Sequence, residues 1–371
     1  MSRSSVDVIR IPTAGPGDVS GLLQLIEQGK IDPKSILAVL GKTEGNGGVN
    51  DFTREYSTVA LAGALAPHLG VSAAEVEQRI AFVMSGGTEG VLSPHITVFT
   101  RMSLPAAETP RTASKRLSIG IAHTRDFLPE ELGRQPQIEE TAAAVRKATA
   151  DAGITDTADV HFVQVKCPLL TSDRVDAAAA RGAKTVTTNS YSSMGYSRGA
   201  SALGVALALG ELKTAPGEED VLKRWDLFSA VASSSAGIEL MHNVVVVMGN
   251  SLSSSSDLVI GHAVMRDAID AAAVRAALRS VGLHSDEMSD AAVAGRLVNI
   301  FAKAEASPDG FVRGLRHTML NDTDVSSTRH ARAAVGGLIG GLAGTNAVYV
   351  SGGAEHQGPA GGGPVAVIAR A

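Results

Sequence analysis

Short apolar segments that run into a polar turn recur along this chain, once in each third of its length. Each segment leads into a serine, a small residue, a glycine, any residue and a glutamate. An apolar run this short, bounded by glycine, is typical of a buried strand that ends in a turn. The three copies are FVMSGGTE at 82–89, VASSSAGIE at 231–239 and VYVSGGAE at 348–355, which aligns Ser85, Ser235 and Ser351.

A segment rich in small and apolar residues lies upstream of each of these serines and begins with an arginine. Such a segment predicts a tightly packed helix with the arginine in its first turn. The arginines are Arg54, Arg198 and Arg332, although Arg329, three residues before the last of them, can take its place. Further upstream in each third, an apolar strand ends in a lysine: Lys42 after ILAVLG, Lys166 after HFVQV and Lys303 after LVNIFA.

The order strand–lysine, arginine–helix, strand–serine therefore occurs three times and predicts an internal repeat. Further amphipathic helices are predicted over 17–29, 72–82, 136–151 and 267–281. Every third thus mixes strands with helices, which predicts an α+β fold of three α/β repeat units. We assign these units to residues 1–105, 112–250 and 255–371. Linkers are predicted at 103–116 and 250–256, where proline, serine and polar residues cluster.

Composition and charge narrow the class of protein. The chain has 371 residues, of which 44% are hydrophobic and only 4% aromatic, so its core must be built mainly from Ala, Val, Leu and Ile. A net charge of -5 and the lack of a basic stripe argue against a nucleic-acid partner. Cys167 is the only cysteine, which excludes a disulfide framework and a Cys-based zinc site. No apolar run has the length of a membrane span, and we expect a cytoplasmic protein with no membrane partner.

The repeated polar residues predict one shared site. Triplication alone would preserve the hydrophobic pattern and the turn glycines, whereas here polar side chains that restrict packing are also kept in order. If the three units pack around a pseudo-threefold axis, three lysines, three arginines and three serines converge on one cavity. Arginine offers a rigid fork of donors to carbonyl oxygens, and each serine turn adds a hydroxyl and approachable backbone N–H groups. This arrangement suits a planar ring that carries three carbonyl groups.

Serine paired with lysine indicates acyl transfer. A serine hydroxyl is a weak nucleophile until a base removes its proton, and a neutral lysine can do so once burial and neighbouring cations lower its pKa. The backbone N–H groups of Ala236 and Gly237 are then candidates to stabilise a tetrahedral oxyanion. The predicted reaction is attack of serine on a ring carbonyl, followed by hydrolysis of the cyclic amide.

The sequence around the lysines suggests which unit carries the reaction. Glu44 and Glu305 each follow a strand-end lysine by two residues, whereas no glutamate follows Lys166 at that spacing. A nearby carboxylate favours the charged amine, so this local comparison favours Lys166 as the neutral base. It therefore favours Ser235 as the nucleophile.

A glycine-rich segment near the C-terminus, GGAEHQGPAGGGP at 352–364, is rich in backbone carbonyls. Together with Glu305 it offers oxygen ligands of the kind that magnesium or calcium takes. A simple loop without a ligand explains the same sequence equally well. A nucleotide is not expected, because the glycine that a phosphate-binding loop requires five residues before Gly41 is Ile36. No organic cofactor is predicted.

With these residues in place, the chain resembles the cyanuric acid hydrolase and barbiturase family of ring-opening amidohydrolases over essentially its whole length. The resemblance implies a triangular fold of three repeat units around a central active site, and a homotetramer. It implies Ser235 as nucleophile and Lys166 as base. The residues implied as substrate-binding are Lys42, Arg54, Ser85, Gly86, Arg198, Ser235, Ala236, Lys303, Arg332, Ser351 and Gly352.

The resemblance also implies a structural magnesium or calcium ion in the third unit, bound mostly through main-chain oxygens. The positions that match its ligand set are Glu305, Ala354, Gln357, Gly358, Pro359 and Gly362. The middle unit departs from the other two, because it has three consecutive serines and Ala236 where the others have glycine. The motif register selects Ser235 as the nucleophile, and Ser233 is the alternative two residues away.

The predicted activity is hydrolytic ring opening of cyanuric acid to carboxybiuret, which loses carbon dioxide to give biuret. Barbiturate ring opening is the second prediction, because barbiturate differs by one ring CH2 and the same residues would bind it. A non-catalytic binder of cyclic imides is a third interpretation, from a different class of protein.

Overall fold

The structure is a computed structural model that describes residues 3–104, 114–284 and 287–371. The middle of the linker predicted at 103–116, residues 105–113, lies outside the described residues. Among the described helices, none has by itself the length and hydropathy of a membrane span, and one bent pair, at 53–69 and 73–79, reaches them together.

The first third of the chain folds into a four-stranded sheet with three helices. Ser72 and Glu75 form a capping box that starts the third helix, which ends just before the serine strand. The elements are β1 (Arg3–Pro12), α1 (Ser20–Glu27), β2 (Ile36–Thr43), α2 (Thr53–Leu69), α3 (Ala73–Arg79), β3 (Ala81–Gly86) and β4 (His95–Leu104).

The middle third repeats this plan with a longer arginine helix. Asn189 caps that helix by accepting a hydrogen bond from the backbone N–H of Ser192 at 2.8 Å. The elements are β5 (Arg116–His123), α4 (Gln135–Asp151), β6 (Val160–Pro168), α5 (Ser172–Ala180), α6 (Ser190–Leu209), β7 (Ala232–Gly237) and β8 (Val244–Ser251).

The last third has the same plan with a small hairpin inserted before its arginine helix. The elements are β9 (Leu258–Met265), α7 (Ala271–Ser280), α8 (Asp290–Arg296), β10 (Leu297–Ala304), β11 (Phe311–Val312), β12 (Leu315–Arg316), α9 (Ser327–Ala343), β13 (Tyr349–Gly352) and β14 (Gly363–Arg370). Short 3-10 turns at Pro33–Ser35, Pro129–Glu131, Thr157–Asp159 and Glu218–Asp220 complete the regular structure of the described residues.

The three main sheets share one topology. Their strand orders are β1-β4-β2-β3, β5-β8-β6-β7 and β9-β14-β10-β13, so in each the lysine strand lies between the last strand and the serine strand. The lysine and serine strands run parallel, and their register makes Lys42, Lys166 and Lys303 the Cα partners of Ser85, Ser235 and Ser351. The fold class is therefore as predicted: α+β, with three repeat units in pseudo-threefold arrangement.

Both faces of the sheets are buried. Helices cover the outer faces, where each unit has its own cluster of Val, Leu, Ile and Ala. The inner faces share one central core, in which the Phe301 ring lies 6.1 Å from Phe99 of the first unit and 5.4 Å from Phe162 of the second. This common core fixes the serine strands relative to one another, which is what places the site.

Three predictions about local structure need correction. The helix predicted over 72–82 ends at Arg79, because β3 begins at Ala81. The arginine lies in the first helical turn only at Arg54, whereas α6 and α9 begin well before Arg198 and Arg332. Both helices begin in polar, serine-rich segments upstream of these arginines, because such residues are favoured at helix starts. Each helix is therefore longer at its N-terminal end than predicted. The linker predicted at 250–256 also begins too early, because its first two residues belong to β8.

Candidate active site

The serine turns of all three units meet at one small cavity. A wider cavity adjoins it and shares Gly47, Met194, Arg198, Arg332 and Gly352 with it, so the small cavity opens to solvent through the larger one. The lining of the small cavity contains nine of the predicted residues, three from each unit: Arg54, Ser85, Gly86, Arg198, Ser235, Ala236, Arg332, Ser351 and Gly352.

Each arginine reaches from its own unit to the serine turn of the next. Arg198 of the middle unit donates from Nε and Nη2 to the Glu355 carboxylate of the last unit, at 2.8 and 2.6 Å. Arg332 of the last unit donates in the same way to Glu89 of the first unit, at 2.7 and 2.5 Å. The forked geometry fixes both guanidinium groups at the cavity wall and leaves Nη1 for a ligand. Arg329 also contacts Glu89, but through Nε alone and from a more exposed position.

Arg54 follows the same direction around the axis but has different partners. Its Nη1 donates to the backbone oxygen of Ala236 in the middle unit at 2.9 Å, and its Nη2 donates to the oxygen of Gly48 at 2.7 Å. The motif glutamate of the middle unit, Glu239, is not its hydrogen-bond partner among the described residues. The repeat of arginine–glutamate pairs is thus complete at two positions and altered at the third.

The three lysines lie behind the cavity wall and are buried, none more than 1% exposed. In the first unit Lys42 Nζ donates to Ser85 Oγ at 3.2 Å, and in the last unit Lys303 Nζ donates to Ser351 Oγ at 3.1 Å. Lys303 also donates to the backbone oxygen of Ser234 in the middle unit at 2.9 Å. Through Lys303, the lysine–serine pair of the last unit is joined to the middle unit.

Lys166 of the middle unit differs from the other two lysines. Its Nζ lies 2.7 Å from Glu239 Oε1 and donates to the backbone oxygen of Met84 in the first unit at 3.0 Å. Among the described residues it is the one active-site lysine without a hydrogen bond to the serine of its own unit. The expectation that Lys166 has no carboxylate neighbour is therefore wrong, because Glu239 comes from the turn after the adjacent strand rather than from the residues after the lysine.

Burial sets the protonation of these lysines. It lowers the pKa of Lys42 well below its ordinary value, with Arg332 acting in the same direction. Burial and then Arg198 lower the pKa of Lys303 to about 7. Burial also lowers the pKa of Lys166, and there Glu239 opposes the change while Arg54 reinforces it. The pKa of Lys303 thus lies near neutral pH, and the pKa values of Lys42 and Lys166 are lowered in the same direction, toward the neutral amine.

The two candidate nucleophiles of the middle unit have different surroundings. Ser235 lines the cavity, and its Oγ lies 3.0 Å from Ser351 Oγ. Ser233 is fully buried and donates to the side-chain oxygen of Gln164 at 2.8 Å, and the Gln164 amide in turn donates to Ser235 Oγ at 3.4 Å. Ser233 thus points into the core, and its contact orients the amide that supports Ser235.

The segment predicted to bind a metal lies beside Arg198. Glu305 Oε2 accepts a hydrogen bond from the Ala354 backbone N–H at 2.6 Å. Burial and then the neighbouring Glu355 raise the pKa of Glu305 to about 7. Two carboxylates of which one raises the pKa of the other are surroundings in which a hard cation stabilises both charges, and the turn adds carbonyl oxygens, so the donor chemistry fits magnesium or calcium.

The other predicted ligands form the turn that follows. The Gln357 side chain is engaged elsewhere, because its oxygen accepts from the Ser234 backbone N–H at 2.7 Å and its amide donates to Gly353 and Glu355 carbonyls. Only its main-chain oxygen is then available to a cation. Gly358, Pro359 and Gly362 share this turn, but within the described part of the chain no hydrogen bond joins them to Glu305. No group of three or more His, Cys, Asp or Glu side chains suited to a metal occurs among the described residues.

Sequence reasoning missed the roles of the motif glutamates and of Gln164. The repeated motif ends in Glu89, Glu239 and Glu355, but the motif alone does not indicate which cation each of these glutamates binds. Gln164 carries a clearer signal, because it lies two residues before Lys166, where the other lysine strands have Leu40 and Phe301. A polar residue at one of three equivalent core positions marks the unit that differs.

The fold and the site together define a repeat protein in which three arginines and three serines line one cavity, with three buried lysines behind its wall. The pattern of the amidohydrolase ring-opening protein family (Amido_AtzD_TrzD) matches residues 7–370, and the chain belongs to that family. It is 74% identical to a cyanuric acid amidohydrolase of Bradyrhizobium diazoefficiens over all of this chain and 99% of that protein. A cyanuric acid amidohydrolase of Pseudomonas sp. (strain ADP) is 61% identical, with 99% of each chain covered.

Solved structures agree with these sequence relatives. A cyanuric acid hydrolase described as an evolutionary innovation by structural concatenation superposes with a TM-score of 0.95 at 60% identity, over 100% of both chains. A cyanuric acid hydrolase from A. caulinodans gives a TM-score of 0.89 at 51% identity, over 99% of each chain.

Proposed function

We propose that this protein hydrolyses cyanuric acid by opening its ring. The observation that carries this proposal is the cavity itself, which three equivalent sets of arginine, serine and turn backbone surround. Cyanuric acid presents three equivalent carbonyl groups, so each set has one carbonyl to bind. The relatives named cyanuric acid amidohydrolase, at up to 74% identity over the full length, support the same substrate.

The arginines hold the ring in this proposal. Arg198 and Arg332 each use two nitrogens for a carboxylate and keep Nη1 for a ring oxygen, while Arg54 is held by backbone oxygens. Ser85 and Ser351, with Gly86 and Gly352 behind them, bind the carbonyls that do not react. Donors fixed before the substrate arrives reduce the entropy cost of orienting it.

The middle unit supplies the chemistry. Lys166 as a neutral amine removes the proton of Ser235, and Oγ attacks the nearest ring carbonyl to form a tetrahedral oxyanion, which the backbone N–H groups of Ala236 and Gly237 stabilise. The ring C–N bond breaks, and Lys166 returns the proton to the leaving nitrogen. Water activated by Lys166 then hydrolyses the acyl-enzyme to carboxybiuret, which loses carbon dioxide to give biuret.

A magnesium or calcium ion, held by Glu305 and by main-chain oxygens of Ala354, Gln357, Gly358, Pro359 and Gly362, has a structural part in this proposal. When bound, it would supply positive charge that offsets the carboxylates of Glu305 and Glu355. Glu355 would then keep its orientation toward Arg198 and through it the cavity wall. A homotetramer in the cytoplasm and the unit boundaries at 1–105, 112–250 and 255–371 stay predictions.

The test is to incubate the purified protein separately with cyanurate and with barbiturate and to identify the products by mass spectrometry. We expect biuret from cyanurate, and no biuret when Ser235→Ala replaces the wild type. Ureidomalonate formed faster from barbiturate would favour the second activity. Binding of cyanurate without any product would favour the non-catalytic interpretation. A relative named cyclic amide hydrolase, 51% identical, makes the barbiturate arm necessary.

A further inference from the structure

The three motif glutamates do not share one role. Glu89 and Glu355 each form a two-pronged contact with an arginine of the preceding unit. Glu239, at the same motif position of the middle unit, instead has its Oε1 2.7 Å from Lys166 Nζ. The unit whose glutamate binds lysine is also the one whose serine and lysine carry the proposed reaction, and it is the unit with Gln164 and Ser233 behind the serine.

We propose that Glu239 is a positioning residue that orients Lys166 toward Ser235 and stabilises the ammonium group that Lys166 forms during attack. The inference deepens the proposed function and rests on it. It makes the catalytic group a chain of three side chains, serine to lysine to glutamate, in which the last holds the base and never takes the proton. A third group that orients the base is a general requirement of activated serine nucleophiles.

The geometry allows this sequence of contacts. Lys166 and Ser235 are Cα partners on adjacent parallel strands, so their side chains project from the same face of the sheet, and in the proposal Nζ moves from the Met84 oxygen to Ser235 Oγ by rotation about side-chain bonds. Lys166 is 1% exposed and Glu239 is 24% exposed, so the carboxylate closes the outer side of a buried amine. Charges in such a poorly solvated place interact strongly.

The proton balance is simple. Ser235 Oγ loses its proton to neutral Lys166 Nζ as the new bond to the ring carbon forms, and the amine becomes an ammonium next to the Glu239 carboxylate. When the ring C–N bond breaks, that proton passes to the leaving nitrogen and Lys166 is neutral again. While Lys166 is charged, Lys166 and then Arg54 outweigh burial and hold the pKa of Glu239 at about 2, so Glu239 is ionised when it stabilises the ammonium group.

Other charged groups also face this pair. Arg54 of α2 lowers the pKa of both Lys166 and Glu239, and for Lys166 it is the second cause of lowering after burial. Arg174 of α5 donates to the backbone oxygen of Ile238 at 2.7 Å, next to Glu239. Cys167, adjacent in sequence to Lys166, acts weakly on the lysine. Of these groups only Glu239 contacts Nζ directly, so its removal has the largest effect on the charge of Lys166.

The test compares Glu239→Gln with Glu89→Gln in the pH dependence of cyanurate hydrolysis. Glutamine keeps the shape and removes the charge, which favours the neutral amine. We expect the acid limb of kcat/KM for Glu239→Gln to move down by about one to three pH units. We expect kcat on the plateau to fall about 100-fold, the typical cost of a misplaced catalytic group. Its KM should change little, whereas Glu89→Gln should raise KM and leave the acid limb in place.

An acid limb that stays at the wild-type pH in Glu239→Gln would overturn the inference, as would equal shifts in the two variants. Glu239→Asp is the second variant, for the case that the glutamine variant does not fold. Aspartate keeps the negative charge but has a shorter side chain, so kcat should fall while the acid limb of kcat/KM stays in place. A wild-type kcat in Glu239→Asp would contradict the positioning role of Glu239. Wild-type protein in the same assay distinguishes failure of the proposed function from failure of this inference. If the wild type forms no biuret, both are overturned. If the wild type turns over but the acid limb of Glu239→Gln does not move, only the inference is overturned.

Discussion

The middle unit and its two neighbours have the same strands, the same lysine–serine register and the same motif, yet their polar contacts differ. In the outer units the lysine binds its serine and the glutamate binds an arginine. In the middle unit the glutamate binds the lysine, and the serine is supported by Gln164. In the proposed function, this difference lets a repeated frame supply three binding positions while one copy is changed for chemistry.

We expect the largest effect on activity when the proposed nucleophile or base is removed. We expect Ser235→Ala and Lys166→Ala each to lower kcat by about a millionfold, and the double variant to be scarcely slower, because the two residues act as one unit. Rates of biuret formation measure this. The matched controls are Ser85→Ala and Ser351→Ala, which should lose much less. Additive losses, or normal turnover in Ser235→Ala with loss in Ser233→Ala, would contradict the assignment.

Barbiturate, whose ring lacks the threefold symmetry of cyanurate, gives the second test of the difference between the units. Barbiturate replaces one ring N–H by CH2, so one contact of the cavity is lost in every orientation. A site built to pair polar groups rejects an analogue that lacks one, because its own buried groups stay unpaired. We expect barbiturate to act mainly as an inhibitor, with kcat/KM about 10⁴-fold below that of cyanurate. Steady-state kinetics with both compounds check this, and a faster barbiturate reaction would reject the threefold-matched cavity.

The arginine–glutamate pairs of the outer units are open to a stability test. Arg332→Ala removes the two-pronged contact and leaves Glu89 with only the single contact from Arg329, which should lower the free energy of unfolding by about 3 kcal/mol. Arg198→Ala should behave alike, and all three arginine variants, Arg54→Ala included, should impair cyanurate turnover. Denaturant unfolding and kinetics measure the two effects. Adding Glu89→Ala to Arg332→Ala should restore part of the stability but not the turnover, and a dispensable arginine would contradict its role as a clamp.

Metal removal should give the smallest change. A cation bound only to the folded chain at 100 times its Kd adds about 2.7 kcal/mol of stability. We expect a chelator to lower Tm and added magnesium or calcium to restore it, with Glu305→Gln unresponsive to either. Differential scanning calorimetry and elemental analysis provide the measurement. An unchanged Tm in chelator, with no metal found in the protein, would remove the ion from the proposal.

The repeat and the register of lysine against serine were accessible from the sequence, because short apolar strands with fixed polar ends recur in the same order. The contact of Lys166 with Glu239 was not. Local spacing pointed to Glu44 and Glu305, but both lie just beyond the ends of their strands, and Glu44 is exposed. The carboxylate that matters follows the neighbouring strand, and its position depends on how that turn is packed.

The pairing of arginines with glutamates between units was equally hidden. Sequence order shows that three arginines and three motif glutamates exist, but not in which direction around the axis each arginine reaches. That direction follows from the shared core of Phe99, Phe162 and Phe301, whose inner-face packing sets how the sheets are rotated. The residues that line the cavity could thus be predicted as a set, whereas their partners required the assembled molecule.

The direction of these contacts between units has a consequence for the number of repeats. Each unit offers its arginine to the unit after it and its glutamate turn to the unit before it, so the contacts are heterologous, and such contacts form a ring when the rotation closes. Here closure comes after three steps, since Arg332 of the last unit returns to Glu89 of the first. A separate single unit would therefore be expected to associate head-to-tail as a cyclic trimer. A fourth unit would find its partner surfaces already taken.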